Sequence, residues 1–282
     1  MRVIRDTVPE SFDGKTIYAF LHSGMGLSCT LIKRVKWGFV FLDGQAVNMK
    51  QTVRCGQSVE VRISEEKSSD ITPIPFPLDI LYEDEYILLV NKPRNMPTHP
   101  SKGNSLPTLA QGVCAYLGEP FVFRAINRLD RDTSGIVLIA KDQHSANILS
   151  DCMKSGGFQK KYLAITEGVP NPLSGTIDEP IERECEGSIK RVVRADGKRA
   201  VTEYRVLDVK DGRAMVEFTL HTGRTHQIRV HSAHMGTPLY ADFLYGTRVQ
   251  DESYYLHAYY LSFTHPMSGR TVEIKSPPPF SL

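Results

Sequence analysis

The 282-residue sequence contains no apolar run near the roughly 18 residues that cross a bilayer, and its start, MRVIRDTVPE, lacks the apolar core of a signal peptide. A cytoplasmic chain with no membrane partner is expected. Cysteine is scarce, and Cys29, Cys55, Cys114, Cys152 and Cys185 lie far apart with no C-x-x-C pair. Such spacing supports neither a zinc knuckle nor a disulfide framework, and it suits buried free thiols. Neither G-x-G-x-x-G nor a Walker phosphate loop occurs, so no nucleotide cofactor is indicated. Excess charge is missing too, because 34 Lys+Arg against 32 Asp+Glu leave only +2. Taken alone, that total argues against a nucleic-acid partner.

What is present is ordinary for a globular protein. The hydrophobic fraction is 41% and the charged fraction 23%, which excludes collagen-like, disordered and fibrous classes. The length suggests about two domains. The stretch SEEKSSDITPIPFP, from Ser64 to Pro77, starts charged and serine-rich and then places prolines at alternate positions, as an extended connector does. The expected division is a module over 1–63, a linker over 64–78 and a larger domain over 79–282. Charge divides unevenly between them: 1–63 carries a net +4 and the remainder −2.

In the first module, Ser28 is placed to cap a helix through Leu31, Ile32 and Val35, with Lys33, Arg34 and Lys36 on its other face and Gly38 at its end. Short β segments follow at Phe39–Leu42 and Val59–Ile63, with turn signals at Asp43-Gly44 and Cys55-Gly56. In the larger domain the pattern predicts a hairpin of Ile80–Tyr82 with Ile87–Val90, then a helix over Leu109–Leu117. A strand over Ile136–Ala140 and a helix around Ala146–Met153 come next. VTEYRVLDVKDGRAMVEFTL alternates on both sides of Asp211-Gly212 and is the clearest hairpin. Returns by hairpin imply an α+β fold, with a mixed, mostly antiparallel sheet and flanking helices, plus a small N-terminal α/β module.

Three segments concentrate polar residues: NRLDRDTSG (127–135) just before the apolar strand IVLIA, Lys160-Lys161-Tyr162, and TGRTHQIRVH (222–231), where Thr225 would cap a helix ended by Gly236. Loops abutting a core strand often carry function. An aspartyl phosphatase would need the apolar strand before its first Asp, and here the strand follows. Ser134 lacks G-x-S-x-G spacing. His226 and His231 are five apart, not the four that places two imidazoles on one helical face, and nearby arginines would repel a metal ion. A surface salt network explains the charges but not the clustering of Arg, His, Gln and Thr on one turn.

NRLDRDTSGIVLIAK, KKYLAITEG and HTGRTHQIRVHSAHMGTPLYADFLYG together resemble the RluA-type RNA pseudouridine synthase family, flanked by ILYEDEYILLVNKPRNMPTHPS and LHAYYLSFTHPMSG in the expected order. GLSCTLIKRVKWGFVFLDGQAV with VRCGQSVEVRI resembles the ribosomal-protein-S-four-like RNA-binding module, a common companion. The resemblance implies an enzyme that cuts the bond between uracil and ribose, rotates the base and rejoins it through ring carbon five. Neither metal nor cofactor is implied. The partner would be structured RNA, with ribosomal RNA favoured and transfer RNA the other candidate, and the protein a monomer.

By motif, Asp130 matches the catalytic aspartate, Arg229 its charge partner and Tyr162 the tyrosine against the uracil ring. Ile228 would form the apolar floor, and Arg128 would help fill the gap left by an extruded uridine. Arg131, Arg224, His226 and His231 would contact phosphate or brace the loop, and Lys33, Arg34 and Lys36 would hold RNA from the first module. Attack on ribose, elimination to a glycal and addition to the ring all use the same Asp, and the resemblance favours the glycal. Asn127 stands where the family often has His.

Overall fold

The computed structural model describes residues 2–27, 29–36, 38–63, 71–101 and 106–282. Ser28, with its expected capping role, and residues 64–70 of the expected linker lie outside them.

Residues 2–63 form a four-stranded antiparallel sheet with helical turns on one side. Its elements are β1 (Arg2–Thr7), α1 (Ile17–Ala19), α2 (Cys29–Val35), β2 (Val40–Leu42), β3 (Gln45–Ala46) and β4 (Ser58–Ile63), with strand order β1-β4-β2-β3. The α2 spacing places Leu31, Ile32 and Val35 in the core with Val40, Val59 and Val61, while Lys33, Arg34 and the following Lys36 are exposed. Gly38, at φ +75°, turns the chain into β2. This segment has a hydrophobic cluster of its own, bounded by Ile4 and Ile63.

The larger part is built on one nine-stranded sheet. In chain order its elements begin β5 (Ile80–Glu83), β6 (Ile87–Lys92), α3 (Leu109–Leu117), β7 (Ser134–Ala140), α4 (Gln143–Lys154), β8 (Gln159–Glu167) and β9 (Ser174–Asp178). A separate two-stranded ribbon, β10 (Ile181–Arg183) and β11 (Arg191–Val193), precedes β12 (Val201–Lys210), β13 (Arg213–Leu220), α5 (Gln227–His234), β14 (Leu256–Thr264) and β15 (Thr271–Lys275). The order is β5-β6-β7-β14-β8-β13-β12-β9, with β15 also on β14; β7–β14 is the parallel pair and the other pairings are antiparallel.

Local chemistry explains most boundaries. Thr108 and Gln111 form a reciprocal capping box at the start of α3, and Gly118 ends it. Asp142 caps α4 by accepting from Ser145 N–H at 2.9 Å, so that helix begins three residues before Ala146. Asp211 and Gly212 both adopt positive φ, as a two-residue hairpin requires. Strand β7 is buried along its whole length because the sheet is covered on both faces: Val137 and Ile139 join the cluster with Leu109 and Val113 of α3, and Ile136 and Leu138 join the one with Ala146 and Leu149 of α4.

Three expectations need correction. Thr225 does not cap α5; His226 holds that position at φ +59° without a side-chain cap. The Gln227 side-chain Oε1 instead closes the turn, accepting from Arg224 N–H and Thr222 O–H, both at 2.9 Å. The cysteines are free, yet only Cys114 is buried, since Cys55 and Cys185 sit in exposed turns and Cys29 opens α2 on the surface. Residues 71–78 are extended as expected but are laid on the larger core. Ile74 N–H bonds Gln111, and the Phe76 ring fills the space a Cβ on Gly112 would need. No helix among the described residues is long and apolar enough to cross a membrane.

The parallel junction is the tightest point of the sheet. Gly135 has φ +114°, and an added Cβ would lie 2.3 Å from Ala258 O on β14. Gly135→Ala is therefore expected to cost about 3 kcal/mol or more, measured as the shift in urea unfolding midpoint; an unchanged midpoint would mean the junction can separate freely.

Candidate active site

The loop between Ile126 and β7 is fixed residue by residue. Asn127 pairs with β7 as a surrogate backbone, donating to Ile136 O at 2.9 Å and accepting from Leu138 N–H at 2.8 Å. Leu129 is buried, and its backbone N–H and C=O both bond the Thr98 hydroxyl. Lys92, fully buried at the end of β6, donates to Pro93 O, Met96 O and Arg131 O at 2.7–3.1 Å. Burial pulls its pKa down to about 7 against the opposing pull of Asp132 and Asp130. The three carbonyl acceptors match the three N–H donors of the ammonium form.

Asp132 is buried and accepts both bonds of the Arg131 fork, at 3.0 and 2.9 Å. Thr133 O–H meets Tyr254 O–H at 3.3 Å. Between these pinned neighbours, the Asp130 side chain remains 28% exposed. It is the carboxylate that the loop presents.

Helix α5 brings Arg229 to it. The Arg229 guanidinium fork does not grip Asp130. Nε and Nη2 both bond the fully buried carboxylate of Asp242 at 2.7 Å, while Nη1 stands 3.8 Å from Asp130 Oδ2. Two acids share one guanidinium, and the one without solvent takes the fork. Tyr254 and Tyr245 stack on the guanidinium at 4.2 and 4.9 Å. Burial opposes the Arg229 charge, but the Asp242 bonds and surrounding negative groups leave its pKa raised.

Asp130 stands between two spaces. On one side is a narrow slot of about 70 Å³, walled by Leu129, Tyr162, Leu220, Ile228 and Leu256. Tyr162 projects from β8, and burial followed by the negative charge of Asp130 pushes its pKa up, so it is a neutral phenol at pH 7. On the other side is an open cleft of about 650 Å³ with Arg128, Arg131, Arg183, Arg191 and Arg229 in its wall. Asp130, Arg128, His226 and Arg229 border both spaces.

Of the residues singled out from sequence, Asp130, Tyr162, Arg229, Ile228, Arg128 and Arg224 meet at the slot and Arg131 lies in the cleft. Arg224 is tied to Arg199 O at 2.9 Å. His231 is fully buried between Thr202 and Glu179 O, so it braces the fold. Ser134 is also buried, bonded to His257 at 2.8 Å. Lys33, Arg34 and Lys36 border neither space, and Lys161 faces away from Tyr162 to pair with Glu217 at 3.6 Å. Sequence reasoning missed Lys92, Asp242 and Tyr254. Asp242 lies within the LYADFLYG stretch, but its tie to Arg229 exists only in the folded chain.

A family model described as RNA pseudouridylate synthase matches residues 86–234. An uncharacterized RNA pseudouridine synthase of Bacillus subtilis (strain 168), YjbO, is 37% identical, over 90% of this chain and 93% of that protein. Ribosomal large subunit pseudouridine synthase D of Xanthomonas campestris pv. campestris is 35% identical, over 88% of this chain and 80% of that protein. The solved structure of human RNA pseudouridylate synthase domain containing 1 aligns with a TM-score of 0.61 at 29% identity, over 73% of this chain and 85% of that one. Fold and relatives define an RNA-modifying isomerase. The chain belongs to the RNA pseudouridylate synthase family.

The Arg229–Asp242 pair generates a direct test. Asp242→Ala leaves a buried guanidinium without its partner and is expected to cost about 3–5 kcal/mol of stability, measured by chemical denaturation. A loss under about 1 kcal/mol, the range of exposed pairs, would show that the pair is not held as described.

Proposed function

We propose that the enzyme isomerises uridines of ribosomal RNA, using Asp130 as its catalytic carboxylate on an extruded nucleotide. The observation that carries this reading is the position of Asp130 between a narrow slot with apolar side chains on part of its wall and an arginine-walled cleft. A base can enter the slot against Tyr162 and Ile228 while phosphates stay among the arginines. Stacked bases are out of reach of such a slot, so the uridine must leave its stack, at a cost of a few kcal/mol. Arg128, exposed at the mouth of both spaces, is placed to offset part of that cost.

Asp130 then acts on the sugar as the bond to uracil breaks, and it needs its charge to do so. Arg229 Nη1 supplies a cation at 3.8 Å that cannot drift, because its fork is fastened to Asp242. Tyr162 lies flat-sided in the slot with a protonated hydroxyl, suited to relay the proton that leaves ring carbon five but not to act as a phenolate base. Arg224 and Arg131 contribute positive potential at the two rims.

Ribosomal RNA is preferred over transfer RNA because relatives carry the name ribosomal large subunit pseudouridine synthase D. Work on that RNA would put the enzyme in the cytoplasm. The separate core of residues 4–63 and the exposed Lys33, Arg34 and Lys36 support reading the first module as an RNA clamp.

Asp130→Asn keeps the shape and removes the charge. Purified variant is expected to make no pseudouridine on unmodified large-subunit ribosomal RNA while binding it within about threefold of wild type; joint loss of binding and turnover would remove Asp130 from the chemistry. Tyr162→Phe is expected to retain binding and lose about tenfold or more in turnover, so full activity would exclude the hydroxyl relay. Reversing the charges of Lys33, Arg34 and Lys36 should weaken RNA binding and flatten its salt dependence by about one counterion per lost phosphate contact. An unmoved affinity and salt slope would mean the module does not grip RNA.

A further inference from the structure

His226 is a non-glycine residue in the left-handed region, at φ +59° and ψ 18°, directly before α5. Strain of this kind persists where the surroundings over-determine a side-chain position, and it clusters at functional sites. Here the imidazole is anchored at one nitrogen and aimed with the other. Its Nδ1 is 2.8 Å from the Tyr245 hydroxyl, and its Nε2 is 3.8 Å from Asp130 Oδ2.

The chain of bonds behind the imidazole favours one tautomer. Tyr245 oxygen accepts the backbone N–H of Arg191 at 2.8 Å. The Tyr245 O–H proton then has Nδ1 as its acceptor, which requires Nδ1 to carry a lone pair and Nε2 the hydrogen. The far side agrees, because a nitrogen facing a carboxylate is stable as N–H and repelled as a lone pair. The groups around the ring are Asp130, Arg229, Asp242 and Arg191, two negative and two positive, and burial outweighs them to pull the imidazole pKa below its ordinary value. The ring is therefore neutral at pH 7, with one N–H.

We propose that His226 is a positioning residue for Asp130, a neutral imidazole whose Nε2–H is turned towards the carboxylate by Tyr245, itself fixed by the Arg191 backbone. The assignment rests on Asp130 being the catalytic carboxylate. Nearest approach of both His226 Nε2 and Arg229 Nη1 is to Oδ2, which leaves Oδ1 as the oxygen presented to the sugar. At 3.8 Å the N–H is just beyond hydrogen-bond reach, close enough to engage as Asp130 settles on a substrate. A neutral donor steadies the ionised carboxylate without a second full cation. Protonated His226 would add that cation, hold the Asp130 electrons more tightly and slow the reaction as pH falls through the lowered imidazole pKa.

Two measurements test this on the full chain. Long-range nitrogen–proton spectra with labelled histidine are expected to show His226 as the Nε2–H tautomer at neutral pH, with that preference lost in Tyr245→Phe. Observing the Nδ1–H tautomer or the doubly protonated ring in wild type would overturn the assignment. In single-turnover assays on large-subunit ribosomal RNA transcript, His226→Ala should lower the rate about tenfold or more with RNA affinity within about twofold.

His226→Gln, whose amide also carries an N–H, should recover most of the rate and lack the acid fall-off caused by imidazole protonation. A Gln variant no faster than the Ala variant, at matched melting temperature, would also overturn it. Wild type failing to modify that RNA would instead refute the substrate reading, and the tautomer result would still decide the role of His226.

Discussion

The buried ion pair of Arg229 and Asp242 is the constraint on which the rest of the site depends. An unpaired guanidinium inside this core would be costly, so Asp242 must be present and fully desolvated for Arg229 to be there at all. Replacing such a pair with apolar residues often leaves stability unchanged or improved, so its use is better sought in orientation. Both fork nitrogens are occupied, two tyrosine rings flank the plane, and only Nη1 is left to face Asp130. The Asp130 loop thus meets a cation that cannot swing away or collapse onto it.

The same logic of internal pairing explains how a domain with no net charge over residues 79–282 presents a basic cleft. Asp132 is held by Arg131, Asp142 caps α4 and Asp242 holds Arg229, so these acids turn inward. Arg128, Arg183 and Arg191 line the cleft, and among the described residues none of them is held in a fork of this kind by an acid. Asp130 is the acid left facing both spaces, and its isolation is produced by the pairing of its neighbours. Overall charge misleads here because a partner at the cleft would meet the local potential, not the total.

Much of the fold was legible because its signals are local. The limits of α3 follow from Thr108, Gln111 and Gly118, and the β12–β13 hairpin from Asp211-Gly212 between alternating runs. The helix of the first module was readable from the spacing of Leu31, Ile32 and Val35. Asp130, Tyr162 and Arg229 were found by motif, and the fold brings all three to one slot. What failed was decided at long range. Thr225 had the right residue type for a cap, but Gln227, whose amide donates across to Val201 O and Thr202, closed that turn through Thr222 and Arg224. No local signal marks Asp242 or Lys92, because the Lys92 ammonium is held by Pro93 O and Met96 O of one turn together with Arg131 O from a distant one.

The central claim is that this chain makes pseudouridine in ribosomal RNA through Asp130. Its most direct measurement is carbodiimide mapping of pseudouridine in total RNA from cells lacking the gene, complemented with wild-type chain or with Asp130→Ala at equal protein level. The account predicts that at least one site in large-subunit ribosomal RNA disappears with the gene and returns with the wild-type chain alone. A site restored equally by Asp130→Ala, or an RNA map unchanged by loss of the gene, would contradict it.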